Sequence, residues 1–408
     1  MIHLQESSLK KKSLYYQRQR VQWRSETQNF CNEPMDKVQE QKLKIDSEYQ
    51  MADYLKPEFL PDQSIPDHIW DDLPTRGVYY MIVRNERLSE ARAVIRSMED
   101  NMKNGTSYPW VLLNNQHFSL NFRKYIKRVT RATIFFGKID LDTWDYPYWI
   151  DVPRAEEMMM FEQEYSNVYN SARLSYHQLL RYQSGFFFHH PLFKNVEYTW
   201  RVEPGADYSC KMNQDLFMFM KEQKKKLGKC FVITMREAPQ SIPTLWSRVN
   251  EFKEINPQYI LDENSTIYPW IYNEREKDYN YCHFWSNFQL ADLSFFRSEA
   301  YRTYFEYLDK TGNFFYERWS DAPVQTIAAA LFLKKEEIHF FNEIGYTHSI
   351  ATHCPYDENL LRDCSCDVTT NYDFHPDSCL KKLLKIIDPN LLDDMKSFAN
   401  TKGISVPF

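Results

Sequence analysis

From Gly77 to Val83 the chain is almost continuously apolar, and the next segment carries Leu88, Ala91, Val94, Ile95 and Met98 at helical spacing. The switch from a continuous run to a three-to-four repeat predicts a buried strand passing into an amphipathic helix, with Asn85 placed to cap it. The alternation then recurs. Trp110 to Leu113 predicts a second strand, Phe118 to Val129 a helix, and Ala132 to Gly137 a third strand. Such alternation favours an α/β fold with a mainly parallel central sheet flanked by helices, the layout of nucleotide-binding domains. A long helix-like stretch runs roughly from Arg154 to Gln183. The second half continues through Cys230 to Met235, the aromatic block His283 to Gln289, and a helix-like run from Pro323 to Phe332.

Upstream of Gly77 the pattern fades. The first roughly 70 residues are rich in Lys, Arg, Gln and Glu with weak apolar periodicity, and Pro57, Pro61 and Pro66 punctuate the approach to the first strand. Residues 1–73 therefore read as a stem or spacer. Residues 74–408 read as one catalytic domain ending in a cysteine-containing segment. No run near the N-terminus has the length of a membrane span or the layout of a signal peptide.

Composition agrees with a sizeable folded core: 408 residues with 43% hydrophobic and 16% aromatic content, and 9 Gly against 19 Pro. A formal net charge of −6 argues against a nucleic-acid partner, and the runs at Lys10–Lys12 and Lys224–Lys226 read as solvated surface. Eight cysteines are present, four of them (Cys354, Cys364, Cys366, Cys379) in the last part of the chain, with sequons at Asn104 and Asn264. Disulfides in an oxidising compartment and free cytosolic thiols are both open on this basis.

The chemistry-bearing stretch is Tyr198-Thr-Trp-Arg-Val-Glu-Pro204. Pro204 biases Glu203 towards extended backbone, so its carboxylate is expected at a strand terminus, where open α/β sheets bind ligands. There it can hold a divalent cation against a nucleotide diphosphate, although a Glu beside a turn is ordinarily just surface. The chain has no Gly-rich phosphate fingerprint. Val83, Arg84 and Asn85, at the end of the first strand, and Arg201, beside Glu203, are the expected donor contacts.

Taken in order, Ser175-Tyr-His, Ser184-Gly-Phe-Phe-Phe-His-His-Pro191, Trp200-Arg-Val-Glu-Pro204, Cys282-His-Phe-Trp-Ser-Asn-Phe288, Phe315-Tyr-Glu-Arg-Trp319, Asp321-Ala-Pro-Val324, Ala328-Ala-Ala-Leu-Phe332 and Ile344-Gly-Tyr346 resemble the fungal Golgi α-1,2-mannosyltransferases of glycosyltransferase family 15. The resemblance runs from about Val78 to about Asp357. It implies a GT-A-like fold, a GDP-mannose donor, a mannose-terminated glycan acceptor, Mn²⁺, and retention of anomeric configuration. It also implies a type II membrane protein of the Golgi lumen, with membrane contact only through an anchor absent from this chain.

By the same resemblance Glu203 and His348 are the metal ligands, with His353 the nearest competitor of His348. Tyr176 stands near the acceptor and the reacting sugar. Asp321 is placed to accept a mannose hydroxyl, or simply to cap the helix after it. Gln289 replaces the glutamate that most relatives carry where a catalytic nucleophile has been proposed, and an amide cannot ordinarily form a glycosyl ester. Gly205 and Ser209-Cys210-Lys211 also depart from the family pattern. The pattern reads as a retaining α-1,2-mannosyltransferase in which Gln289 acts as a dipole, with a mannosylphosphate transferase and a catalytically silent GDP-sugar-binding protein as the alternatives.

Overall fold

The computed structural model describes residues 60–102, 107–166, 168–223 and 230–404. Most of the expected N-terminal spacer, together with Cys31, Asn104 and Lys224–Lys226, lies outside them. The compact unit begins at Pro61 rather than near Pro74. Ile65 and Trp70 are buried, and Asp62 pairs with Phe136 through both its backbone N–H (2.8 Å to the carbonyl) and its carboxylate (2.6 Å from the amide). Residues 61–73 thus belong to the folded domain, because they supply apolar side chains and edge-strand bonds that a solvated spacer would not.

The predicted strands form the sheet's parallel half. β1 (Gly77–Ile82) lies between β2 (Trp110–Asn114) and β4 (Tyr198–Arg201), and β3 (Ile134–Lys138) pairs with β2. Five strands come next: β5 (Ala206–Tyr208), β6 (Cys230–Phe231), β7 (Thr234–Arg236), and the short antiparallel pair β8 (Tyr272–Asn273) and β9 (Asp278–Tyr279). β10 (Cys282–Phe284) pairs antiparallel with β7. β11 (Gln289–Asp292) runs antiparallel between β4 and β6, and β12 (His339–Phe340) closes the seven-stranded order β12-β6-β11-β4-β1-β2-β3. A smaller sheet joins β5, β13 (Tyr346–His348) and β14 (Ala351–His353).

Alternation along β1 sends Val78 and Tyr80 into one core and Tyr79 and Met81 into the other, as expected of a sheet covered on both faces. Tyr80 stacks on Phe187 at 5.2 Å, and Tyr79 meets Trp200 at 5.8 Å.

Two local expectations change. The stretch from Arg154 to Gln183 is not one helix but two, Val152–Phe161 and Leu174–Gly185, interrupted by a π-helical turn at Glu162–Ser166. The break includes Asn170 at φ 57°, a left-handed conformation that Asn tolerates and helices exclude. Asn85 does not cap the helix at Leu88–Asp100, whose N-cap is Arg87 without a side-chain bond. Its amide instead donates to the His117 carbonyl (3.0 Å) and accepts the Ser119 N–H (2.9 Å), tying the ends of β1 and β2 together.

All four C-terminal cysteines are paired, as Cys210–Cys364, Cys282–Cys379 and Cys354–Cys366. Among the described residues no helix is long and apolar enough to cross a membrane.

Candidate active site

The carboxyl end of β4 organises the site. In register, Arg201 stands opposite Tyr80 of β1 on one side and Gln289 of β11 on the other. Glu203, two residues on, shares the face of Arg201 and takes bonds from its Nε (3.3 Å) and Nη2 (3.2 Å). Nη1 of Arg201 meets Asp321 at 2.6 Å, at the start of the helix Asp321–Phe332. Arg201 and Asp321 are almost wholly enclosed, whereas Glu203 retains 18% exposure of its side chain. Burial alone would depress the guanidinium pKa, but the carboxylates of Asp321 and Glu203 outweigh it and hold the charge firmly in place. Arg201 is thus not the open phosphate contact expected of it. It is the buried centre of an acid–base–acid triad. Nor does Asp321 cap its helix: Ser320 holds the N-cap position, and Asp321 spends its carboxylate on Arg201.

After Glu203 the chain turns sharply, with the Ala206 N–H returning to the Glu203 carbonyl (3.1 Å) and Gly205 at φ 89°. The departure at Gly205 therefore sits where the backbone is left-handed, a conformation glycine adopts at no steric cost. The turn delivers β5 to β13, pairing Ala206 with His348. His348 consequently lies against the Glu203 turn, and both Glu203 and the Pro204 carbonyl act on its ring. Burial is the larger influence and pushes its pKa down, which favours the neutral imidazole that a metal requires. The Asn287 amide sits 3.0 Å from Nδ1, and the ring of Trp285 stands edge-on at 5.3 Å. The Asn287 Oδ1 is otherwise a buried atom without a partner. With the amide turned so that this oxygen accepts Nδ1–H, Nε2 would be the nitrogen without a proton, the tautomer that outer partners impose on metal-bound histidines. A carboxylate and an imidazole so placed suit Mn²⁺. His353, the competing histidine, is fully buried and bonded to Asp373 (2.7 Å) and the Asn342 carbonyl (3.1 Å), which leaves no ring nitrogen for a metal.

Gln289 lies in a chain of amides. Its Nε2 donates to Gln325 Oε1 (2.8 Å), Gln325 Nε2 donates to the Gln183 carbonyl (2.9 Å), and the Tyr80 hydroxyl bonds Gln183 Oε1 (3.2 Å). Every link is directional. A carboxylate at position 289 would face the Gln325 carbonyl oxygen with no proton to give.

Of the expected donor contacts, Val83 is buried and bonded to the Leu113 carbonyl (2.9 Å), and Asn85 is occupied by His117 and Ser119. Arg84 is exposed and has Glu86 at 3.8 Å. Sequence reasoning missed Arg87, which pairs with Glu90 and donates to the Pro204 carbonyl at 3.0 Å, clasping the Glu203 turn. A basic residue in the turn after the first strand was the available signal. It also missed Asn287, visible only as a polar residue inside an aromatic block.

Burial pushes the Tyr176 phenol pKa up, with Arg318 opposing it and Asp321 and Glu237 adding to it. Arg318 Nη2 bonds Glu237 at 2.8 Å, and Ser320 bonds the other Glu237 oxygen at 2.9 Å. The structure therefore brings together Glu203, His348, Arg201, Gln289 and Asp321, with Tyr176 under the electrostatic influence of Asp321, whereas Val83 and Asn85 are engaged with Leu113 and with His117 and Ser119.

Comparison with known proteins adds kinship to this geometry. The family described as Glycolipid 2-alpha-mannosyltransferase matches residues 24–388. The chain is 40% identical over 309 residues to Glycolipid 2-alpha-mannosyltransferase 2 of Candida albicans, covering 75% of this chain and 66% of that protein, just under two thirds of its length. It is also 40% identical to the O-glycoside alpha-1,2-mannosyltransferase omh1 of Schizosaccharomyces pombe, over 76% of this chain and 79% of that one. Among solved structures, the mannosyltransferase Ktr4p of S. cerevisiae in complex with GDP superposes with a TM-score of 0.72 at 32% identity, covering 79% of this chain and 84% of that chain. Core-mannan synthase A of Aspergillus fumigatus, in its Mn/GDP form, gives the same TM-score and identity over 81% and 93%. The GT-A-like expectation for the fold holds. From the ordered aromatic blocks to the matched fold, the chain belongs to the glycolipid 2-alpha-mannosyltransferase family, glycosyltransferase family 15.

Proposed function

We propose that the protein transfers mannose from GDP-mannose to the 2-hydroxyl of a mannose-terminated glycan, with retention, using Mn²⁺ held by Glu203 and His348. The pairing of β5 with β13 carries this reading, since it sets an imidazole against the carboxylate at the end of β4. Relatives solved with GDP and with Mn/GDP support the donor and the ion. Bound there, Mn²⁺ supplies Lewis-acid stabilisation of the departing diphosphate. Arg201 holds the Glu203 carboxylate in one orientation, and Asp321, tied to Arg201, acts as a positioning residue. Arg84, exposed at the end of β1, is free to reach a phosphate. The Tyr176 phenol orients an acceptor hydroxyl. Gln289 gives Nε2 to Gln325, so its Oε1 dipole is what it offers an oxocarbenium-like sugar.

That amide bonding favours departure and attack on one face of the sugar over a glycosyl ester. Three disulfides support residence in an oxidising lumen, which fits a type II Golgi enzyme. The test is incubation of purified protein with GDP-mannose, Mn²⁺ and a panel of mannosides, with products read by mass and linkage. A mannose-phosphate product would establish phosphoryl transfer in place of this reading, and donor inertness would establish a silent binder.

A further inference from the structure

The turn that carries Glu203 is gripped from outside by a charged pair. Glu203 is its first residue and Pro204 its second; Gly205 is third at φ 89°, and Ala206, the start of β5, returns its N–H to the Glu203 carbonyl at 3.1 Å. Proline cannot take a positive φ, and a positive φ in third place excludes a type I turn, so the turn is type II. The two types differ by a flip of the central peptide, whose oxygen here is the Pro204 carbonyl. A bond to that oxygen selects the form of the turn.

Arg87 makes this bond. Its Nη2 donates to the Pro204 carbonyl at 3.0 Å across 117 positions of sequence, while Glu90 Oε2 takes both Nη2 and Nε, the latter at 3.0 Å. The pair lies close over the turn: a Cβ added at Gly205 would stand 3.3 Å from Glu90 Oε2 and 3.7 Å from Arg87 Nη2. Arg87 is the N-cap of the helix Leu88–Asp100, whose far end grips β5 as well. There Ser97 Oγ accepts the Tyr208 N–H (2.8 Å), and Asn101 Nδ2 donates to the Tyr208 carbonyl (2.6 Å). One helix thus holds both ends of the segment that pairs with the His348 strand.

We infer that Arg87 is a positioning residue for the metal pair: by bonding the Pro204 carbonyl it locks the turn in its type II form and holds Glu203 against His348. The inference rests on the reading of Glu203 and His348 as Mn²⁺ ligands. Its electrostatics make the role separable from simple attraction. Arg87 acts on both Glu203 and His348, so by Coulomb's law alone its cation opposes a divalent ion at that pair. Loss of the charge would tighten the metal, whereas loss of the clasp would weaken it.

The experiment titrates Mn²⁺ into the purified full chain with GDP present and reads the free ion by electron paramagnetic resonance. Arg87→Met should weaken Mn²⁺ binding by about three- to tenfold, the worth of a charged hydrogen bond discounted for the exposure of its donor. Arg87→Gln, equally neutral and too short to span Glu90 and Pro204 together, should act in the same direction. Arg96→Met removes the same charge from the same helix, where Arg96 pairs with Asp100 at the surface, and should leave Mn²⁺ affinity unchanged. Hydrogen exchange over residues 203–208, which needs no metal, should quicken in Arg87→Met and not in Arg96→Met. Unchanged or tighter Mn²⁺ binding in folded Arg87→Met and Arg87→Gln would overturn the assignment. A wild type that binds no Mn²⁺ would sink the metal reading; quickened exchange in Arg87→Met would then still support the clasp on the turn, and unchanged exchange would overturn that too.

Discussion

Two arginines flank the Ser320–Asp321 junction and meet opposite fates. Arg201 spends three nitrogens on Asp321 and Glu203 and is sealed in the core. Arg318 pairs through Nη2 with Glu237, while its Nε and the Glu162 Oε2 are buried without a partner. The difference separates two jobs. A donor site that must hold a cation and a diphosphate in fixed geometry benefits from groups already locked in place. The unmade bonds of Arg318 and Glu162 are a cost in stability instead.

The comparison breaks first at Arg201. Arg201→Met leaves the buried Asp321 carboxylate and the part-exposed Glu203 carboxylate without their shared cation, so it should cost about 3–5 kcal/mol of stability; a denaturation midpoint equal to wild type would show that the triad is not a structural centre. Next comes the metal pair. Glu203→Ala and His348→Ala should each lower Mn²⁺-dependent turnover by on the order of 10²–10³ while the fold survives, and normal Mn²⁺-dependent turnover in a folded Glu203→Ala protein would remove the central claim. Gln289→Ala should be impaired by a comparable or smaller factor, and no glycosyl ester should be trapped at this position. Gln289→Glu must confront the Gln325 oxygen, so its thermal midpoint should fall; an unchanged midpoint with raised activity would mean that the amide chain is dispensable.

The smallest effect is a pH dependence on the unsatisfied side. Because Glu162 has its pKa raised to about 7, the folded state binds the proton more tightly than the unfolded one. Its contribution to stability is therefore undiminished below the ordinary carboxylate range and is lost as pH rises towards 7. Glu162→Gln should be more stable than wild type above pH 7 by on the order of 1–3 kcal/mol, with the gap closing near pH 4. A gap independent of pH would show that the Glu162 pKa is the same in the folded and unfolded states.

Much of the architecture is legible in the sequence. Strands β1 to β3 announce themselves as apolar runs because a sheet covered on both faces admits little else. Glu203 and His348 stand out through the ordered blocks, and the fold brings them together by a pairing that no local pattern encodes. Where sequence and structure part, tertiary context decides. Asn85 and Asp321 each have an orthodox local role as a helix cap, and each gives its side chain to a distant partner instead, His117–Ser119 and Arg201. Arg201 looks like an open phosphate contact in sequence because its partner Asp321, 120 positions away, is invisible there as a neighbour. The π turn at Glu162 has no signal in the helical periodicity that surrounds it.

The union of β5 with β13 also sets a timetable. Glu203 and His348 belong to segments whose pairing is sealed nearby by Cys210–Cys364, cysteines separated by 154 residues. At a synthesis rate of roughly 5–20 residues per second, β5 must wait several seconds or more after emerging before its partner exists. Glu203 and His348 cannot be brought together on a nascent chain that stops before β13. The approach of Glu203 to His348 is thus gained only after β13 has been made.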